Sequence, residues 1–177
     1  MITQNISLLP LLPPQWPQFI SDLQEAFSPA LKKEFKTNAP FPPKEEIQAT
    51  LSNAENEAYH IFSDGQKIGG AVVKYLSHQH KACLELFFIL PQKHGKGLGQ
   101  LAWQALEAQY PQAKTWELVT PYFEKRNIHF YVNKCGFRIV EFVNKYHPSS
   151  NPHYQIQEGE NPLGRDEFFR FEKIVNR

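Results

Sequence analysis

The segment Pro91-Gln92-Lys93-His94-Gly95-Lys96-Gly97-Leu98-Gly99 carries the strongest chemical signal in this chain of 177 residues. It follows the apolar run Leu84 to Leu90 and precedes a stretch with helical spacing, Leu98 to Gln109. A strand that turns through glycines into a helix presents backbone N–H groups and the positive end of a helix dipole to an anion, most often a phosphate. Glycine suits the turn because a side chain would hold the anion away from the backbone. Lys93 and Lys96 add positive charge to the same place.

The elements that must position this turn can be read from periodicity. Asn5 to Leu9 is a short strand. Phe19, Leu23, Ala26 and Phe27 recur at helical spacing, and Leu31 and Phe35 extend the pattern past Pro29. Pro43 opens a second helix, with Glu45 and Glu46 in its first turn, ending near Ser52-Asn53. Ala58 to Phe62 and Lys67 to Leu76 are strands joined at Asp64-Gly65, a hairpin signal. Ser77 to His80 turns the chain into a third strand, Ala82 to Leu90, which runs into the glycine turn. After the helix bearing Leu98, Leu101, Ala102, Ala105 and Leu106 on one face, Thr115 to Thr120 is a strand that Pro121 ends. Because it follows a crossover helix, this strand is expected parallel to strand 82–90. Asn127 to Cys135 is a short helix ended by Gly136, Phe137 to Tyr146 a strand, His147 to Gly164 a polar loop, and Phe168 to Val175 the last strand. The expected fold is a single α+β layered domain over residues 1–177. Its sheet is mixed, mostly antiparallel and six- to seven-stranded, with helices on both faces.

Two familiar phosphate sites fail on spacing. A nucleoside triphosphate loop needs Gly-x-x-x-x-Gly-Lys-Ser/Thr, whereas Lys96 precedes Gly97 and no Ser or Thr follows. A dinucleotide fold needs Gly-x-Gly-x-x-Gly near the first strand, whereas the glycines stand at 95, 97 and 99 after several antiparallel strands.

The chain at this point resembles the GNAT superfamily of acyl-CoA-dependent N-acyltransferases. Motif A of that family reads Arg/Gln-x-x-Gly-x-Gly/Ala. Gln92-Lys93-His94-Gly95-Lys96-Gly97 satisfies the letters. Pro91, however, aligns the chain with the common Pro-Glu-Tyr-Arg-Gly-Lys-Gly-Ile-Gly, so His94 stands in the Arg or Gln position. Ile128 to Phe137 looks like motif B, often Phe-Tyr-x-x-x-Gly-Phe, with Tyr131, Gly136 and Phe137 as its marks. Where the family commonly has Asn, seven residues before the Tyr, this chain has Glu124, and Asn127 lies nearer. The resemblance spans about residues 58–146.

The resemblance implies an N-acetyltransferase that moves an acetyl group from acetyl-CoA, as co-substrate, to a primary amine of a small molecule, peptide or protein. No metal is implied. The pyrophosphate would lie at His94, Gly95, Lys96, Gly97, Leu98, Gly99 and Gln100, with Asn127 assisting. The pantetheine arm would lie between strands 82–90 and 115–120, against the backbone of Phe87, Phe88 and Ile89. Tyr131 would be the general acid; its plainer alternative is a core tyrosine. Strand alternation places Glu85 on the face of Phe87 and Ile89, so Glu85 or a water would be the base; its plainer alternative is a sheet-surface carboxylate. The departures at His94 and Glu124 leave a second expectation open, a CoA-binding regulatory domain without catalysis.

Bulk properties bound the partners. A net charge of +1 at pH 7 gives no general attraction to nucleic acid or acidic membranes. No apolar run approaches the ~20 residues that span a bilayer. Met1-Ile2-Thr3-Gln4-Asn5 lacks the basic start of a signal peptide, so a cytoplasmic protein with reduced Cys83 and Cys135 is expected. Expected partners are acetyl-CoA and an amine, with a homodimer allowed. His78 and His80 in a turn lack a third ligand, and Cys135 reads as a buried apolar residue.

Overall fold

The computed structural model describes residues 3–154 and 167–176. Seven strands form one sheet: β1 Ile6–Pro10, β2 Asn56–Ser63, β3 Gln66–Leu76, β4 Lys81–Ile89, β5 Thr115–Pro121, β6 Arg138–Val143 and β7 Phe168–Ile174. Their order is β1-β2-β3-β4-β5-β7-β6. Every neighbouring pair is antiparallel except β4 and β5, which are parallel, as a crossover helix requires.

The helices are α1 Trp16–Phe35, α2 Lys44–Ser52, α3 Leu98–Gln109 and α4 Lys125–His129, the last continuing as a π-wound segment, Phe130–Lys134. α1 runs unbroken through Pro29 and ends where Lys36 takes a left-handed conformation. Proline there removes one helical hydrogen bond, and burial of Phe19, Ile20, Leu23 and Leu31 outweighs that loss. The strand expected over 137–146 is shorter, and most of the loop expected over 147–164 lies outside the described residues.

The middle of the sheet is buried on both faces. On one side, Phe19, Ile20 and Leu23 of α1 and Ile47 and Leu51 of α2 pack on Val72, Phe88 and Leu90. On the other, Leu98, Ala102, Trp103 and Leu106 of α3, with Tyr131 and Phe137, pack on Ile61, Ala71, Leu84, Phe87, Ile89, Trp116 and Phe171. A third cluster joins Leu31, Phe41 and Phe123, tying the end of α1 to the turn after β5.

One irregularity corrects the expected face of Glu85. In the β3–β4 ladder Val72 opposes Leu86 and Val73 opposes Leu84, so Glu85 is the extra residue of a bulge. Leu84 accordingly belongs to the core under α3, while Leu86 packs against the core under α1. Alternation breaks at this point, and Glu85 does not continue the row of Phe87 and Ile89. Its charge acts instead on Cys83, Lys74 and Tyr154.

Candidate functional site

β4 and β5 are paired only from Lys81, Ala82 and Cys83 to Thr115, Trp116 and Glu117. Beyond that rung β4 continues to Ile89 and β5 to Pro121 without a ladder between them. The closed end is held by Glu117, 1% exposed, which forms ion pairs with Lys81 and Arg170. A groove of about 470 Å³ opens toward the other end. Backbone groups on the β5 side of β4 are left there without a strand partner, which is the condition for pairing with an extended ligand.

The glycine turn forms one end of this groove. Gly95 (φ +76°) and Gly97 (φ +72°) occupy a left-handed conformation that favours glycine, and a Cβ at either would meet nothing within 4 Å. The space over the turn is therefore open to a ligand. Gly97 caps α3, whose first amides, at Leu98, Gly99 and Gln100, have no acceptor within the helix. Lys93, Arg126 and Lys134 line the groove around it. Amides without acceptors, an open cradle and cations together fit a pyrophosphate.

His94 braces the turn. Its Nε2 lies 2.6 Å from the carbonyl oxygen of Ile89, to which it donates as the neutral ring. Burial lowers the His94 pKa; the bond to Ile89 opposes that shift and Arg126 reinforces it. The turn thus accepts His94 in the motif's Arg or Gln position, while Gln92 lies in a short 3₁₀ turn, exposed and outside the groove. Gln100 ties the turn to the π-wound segment through Nε2 and the carbonyl of Lys134, at 3.1 Å.

Most of the expected cofactor residues therefore meet in one place. Phe87, Phe88, Ile89, His94, Gly95, Gly97, Leu98, Gly99, Gln100 and Asn127 all border the groove. Lys96 is exposed and does not border the groove, so Lys93 is the lysine of the turn that lines it. Phe130, Arg126 and Lys134 were missed, although they lie inside or beside the motif B segment. The opposite wall, Ala26, Phe27, Pro29 and Ala30 of α1, carries no sequence signal, because only folding brings it to β4.

The acid–base candidates are placed differently from one another. Tyr131 is 6% exposed, set among Phe130, Phe137 and Phe171 with ring centroids 5.3 to 6.0 Å away. It belongs to the core behind the groove wall and is not among the lining side chains. Burial raises its pKa, with the charges of Cys135 and Glu124 adding to the effect, so the phenol stays neutral. Four residues separate Tyr131 from Gly136, one more than in the motif, and a π-turn takes up the extra residue: the Cys135 amide bonds the Phe130 carbonyl at 3.1 Å. Glu85 sits in its bulge and does not border the groove.

Glu124, by contrast, does border it. It is 4% exposed, and its Oε1 has no hydrogen-bond partner. The turn from Pro121 fixes it: the Glu124 amide bonds the Pro121 carbonyl at 3.1 Å, and neighbouring Phe123 is anchored against Phe35 with centroids 5.0 Å apart. Burial pushes its pKa up to about 7, against the pull of Arg126.

Among the described residues no group of three or more His, Cys, Asp or Glu could hold a metal, and no helix is long and apolar enough to cross a membrane. Cys83 and Cys135 are free and buried.

A model of the acetyltransferase (GNAT) family matches residues 16–137. The chain is 46% identical over 164 residues to the uncharacterized protein YrkN of Bacillus subtilis (strain 168), covering 91% of this chain and 89% of that protein. Its fold is similar to that of the ribosomal-protein-S18-alanine N-acetyltransferase from Escherichia coli, with TM-score 0.67, 12% identity, and 98% and 96% of the two chains covered. It is similar also to spermidine N-acetyltransferase from Vibrio cholerae, solved in complex with CoA and spermine, with TM-score 0.62, 14% identity, and 96% and 95% covered.

Proposed function

The chain belongs to the GNAT acetyltransferase family, and on that premise we propose that it transfers an acetyl group from acetyl-CoA to a primary amine, by direct attack in a ternary complex. The observation that carries this reading is the parting of β4 from β5 next to an open glycine cradle at the head of α3.

Each part of the groove then has a task. The turn amides and Lys93 hold the pyrophosphate. The unpaired edge of β4 at Phe87, Phe88 and Ile89 holds the pantetheine arm as an added strand. When bound, acetyl-CoA supplies an activated acyl carbon. Backbone N–H groups near Ile89 polarise the carbonyl and stabilise the charge that develops on its oxygen. Tyr131 is a neutral phenol in the core behind the groove wall, and its role as proton donor to the departing thiolate is what Tyr131→Phe tests. The CoA- and spermine-bound relative supports a cationic amine as the acceptor class.

The test is thiol release from acetyl-CoA by the purified protein with an alkyl diamine, an aryl-ethylamine and a peptide with a free N-terminus. Release that depends on one class of amine is expected. Tight CoA binding with no release under any amine would show a binding domain instead.

A further inference from the structure

We propose that Glu124 is the general base of this transfer, accepting a proton from the ammonium group of the acceptor within the groove. The inference rests on the transferase reading above and assigns a residue to its least determined step.

An alkyl amine has a pKa near that of lysine, about 10.4, so at neutral pH its nitrogen carries a proton and has no free lone pair. Either solvent removes that proton before binding or a group in the site accepts it. Glu124 is the acidic side chain that borders the groove among the described residues. It is 4% exposed, and its Oε1 makes no hydrogen bond. A buried carboxyl oxygen with no hydrogen bond is destabilising by about 1–3 kcal/mol, and at Glu124 it stands beside an open groove. Although Glu124 precedes α4, its side chain caps no amide of that helix. The turn from Pro121 and the packing of Phe123 direct it to the groove instead.

The surroundings suit proton acceptance near neutral pH. Arg126, His129 and Lys134 border the groove from Glu124's own helical segment, and Lys93 and His94 from the glycine turn. Tyr131 lies within range of its charge. The α1 wall opposite is apolar, with Ala26, Phe27, Pro29 and Ala30. Burial holds the carboxyl partly protonated around pH 7, which lets it both take and release a proton at working pH.

The Glu124 carboxylate takes one proton from the ammonium, giving a free amine and a carboxylic acid. The nitrogen lone pair forms the C–N bond at the thioester carbonyl carbon. The carbonyl re-forms as the C–S bond breaks, and its electron pair leaves on sulfur. The thiolate gains the second proton of the nitrogen as the amide forms, and Glu124 releases its own proton to solvent.

Glu124→Gln separates proton acceptance from hydrogen bonding, because the amide can donate and accept hydrogen bonds but takes no proton. With acetyl-CoA saturating and the best amine varied, wild type should show kcat/KM rising with pH through about 7. Glu124→Gln should lose about 10²- to 10⁴-fold and that limb of the profile, at unchanged acetyl-CoA Kd. Arg126→Gln should move the limb to higher pH, a shift that a merely structural carboxyl would not produce. Transfer by Glu124→Gln within threefold of wild type overturns the base and leaves the transferase reading intact. A wild-type profile that rises only at the amine's own pKa overturns the base even if Glu124→Gln fails to fold. Absence of transfer by wild type to every amine overturns the transferase reading, and the base with it.

Discussion

The ring of Phe130 lies parallel to that of Phe87, with 5.8 Å between centroids and 8° between planes, and so fastens the π-wound segment after α4 to the strand that borders the groove. Phe130 also closes on Gly99, where a Cβ would come within 3.2 Å of its ring. Because the ring is half-buried, Phe130→Ala should destabilise the fold by about 2 kcal/mol, below the 3–5 of full burial. It should weaken CoA binding at the same time, since the wall between the glycine turn and α4 loses its support. Urea unfolding and a CoA titration check the two effects together.

Two glycines should separate fold from site. At Gly69 a Cβ would stand 2.0 Å from the Phe88 carbonyl oxygen, inside the β3–β4 ladder, so Gly69→Ala should destabilise by at least about 3 kcal/mol. At Gly95 the space is open and only the positive φ opposes a side chain, so Gly95→Ala should lose about 1 kcal/mol of stability. Its larger effect should be on CoA affinity, because the new methyl group occupies the cradle. Thermal melts with and without CoA distinguish them.

Tyr131→Phe removes a hydroxyl from an aromatic cluster and leaves the ring contacts with Phe137 and Phe171 in place. Turnover should fall by about 10²-fold with little change in acetyl-CoA Kd, if the phenol protonates the thiolate. Equal turnover in the two proteins would make Tyr131 a core residue and nothing more.

Glu124 should also reveal itself in stability, apart from catalysis. Its pKa is raised from 4.5 to about 7 on folding, so below pH 4.5 both states are protonated and it contributes no penalty. Between those values the unfolded chain ionises first, and stability falls as pH rises. Above pH 7 the deficit reaches about 3 kcal/mol. Glu124→Gln should therefore melt higher than wild type at pH 8.5 and alike at pH 4. A melting difference independent of pH would show that the carboxyl is not buried as the structure places it.

Much of the site could be read directly because its determinants are local. The alternation of Gly95, Gly97 and Gly99 prescribes a turn with exposed amides, and the helical spacing from Leu98 prescribes the dipole behind it. The parallel placement of β5 also followed, since a strand reached by a crossover helix has no other orientation open to it beside β4. At Glu85 the local pattern and the fold part. Strict alternation sets it beside Phe87 and Ile89, but a bulge adds one residue to β4, and only the register against β3 reveals it.

By itself, then, the sequence determined an α+β layered domain, a glycine turn with exposed amides at the head of α3, and a motif B helix. Each depends on residues within a few positions of one another. Tertiary structure alone decided where β4 and β5 part, which wall of α1 faces the glycine turn, and that Glu124 rather than Glu85 meets the groove. Those outcomes turn on burial and pairing between segments far apart in the chain. The electrostatic character of a carboxylate is likewise set by the groups that fold around it, not by its neighbours in sequence.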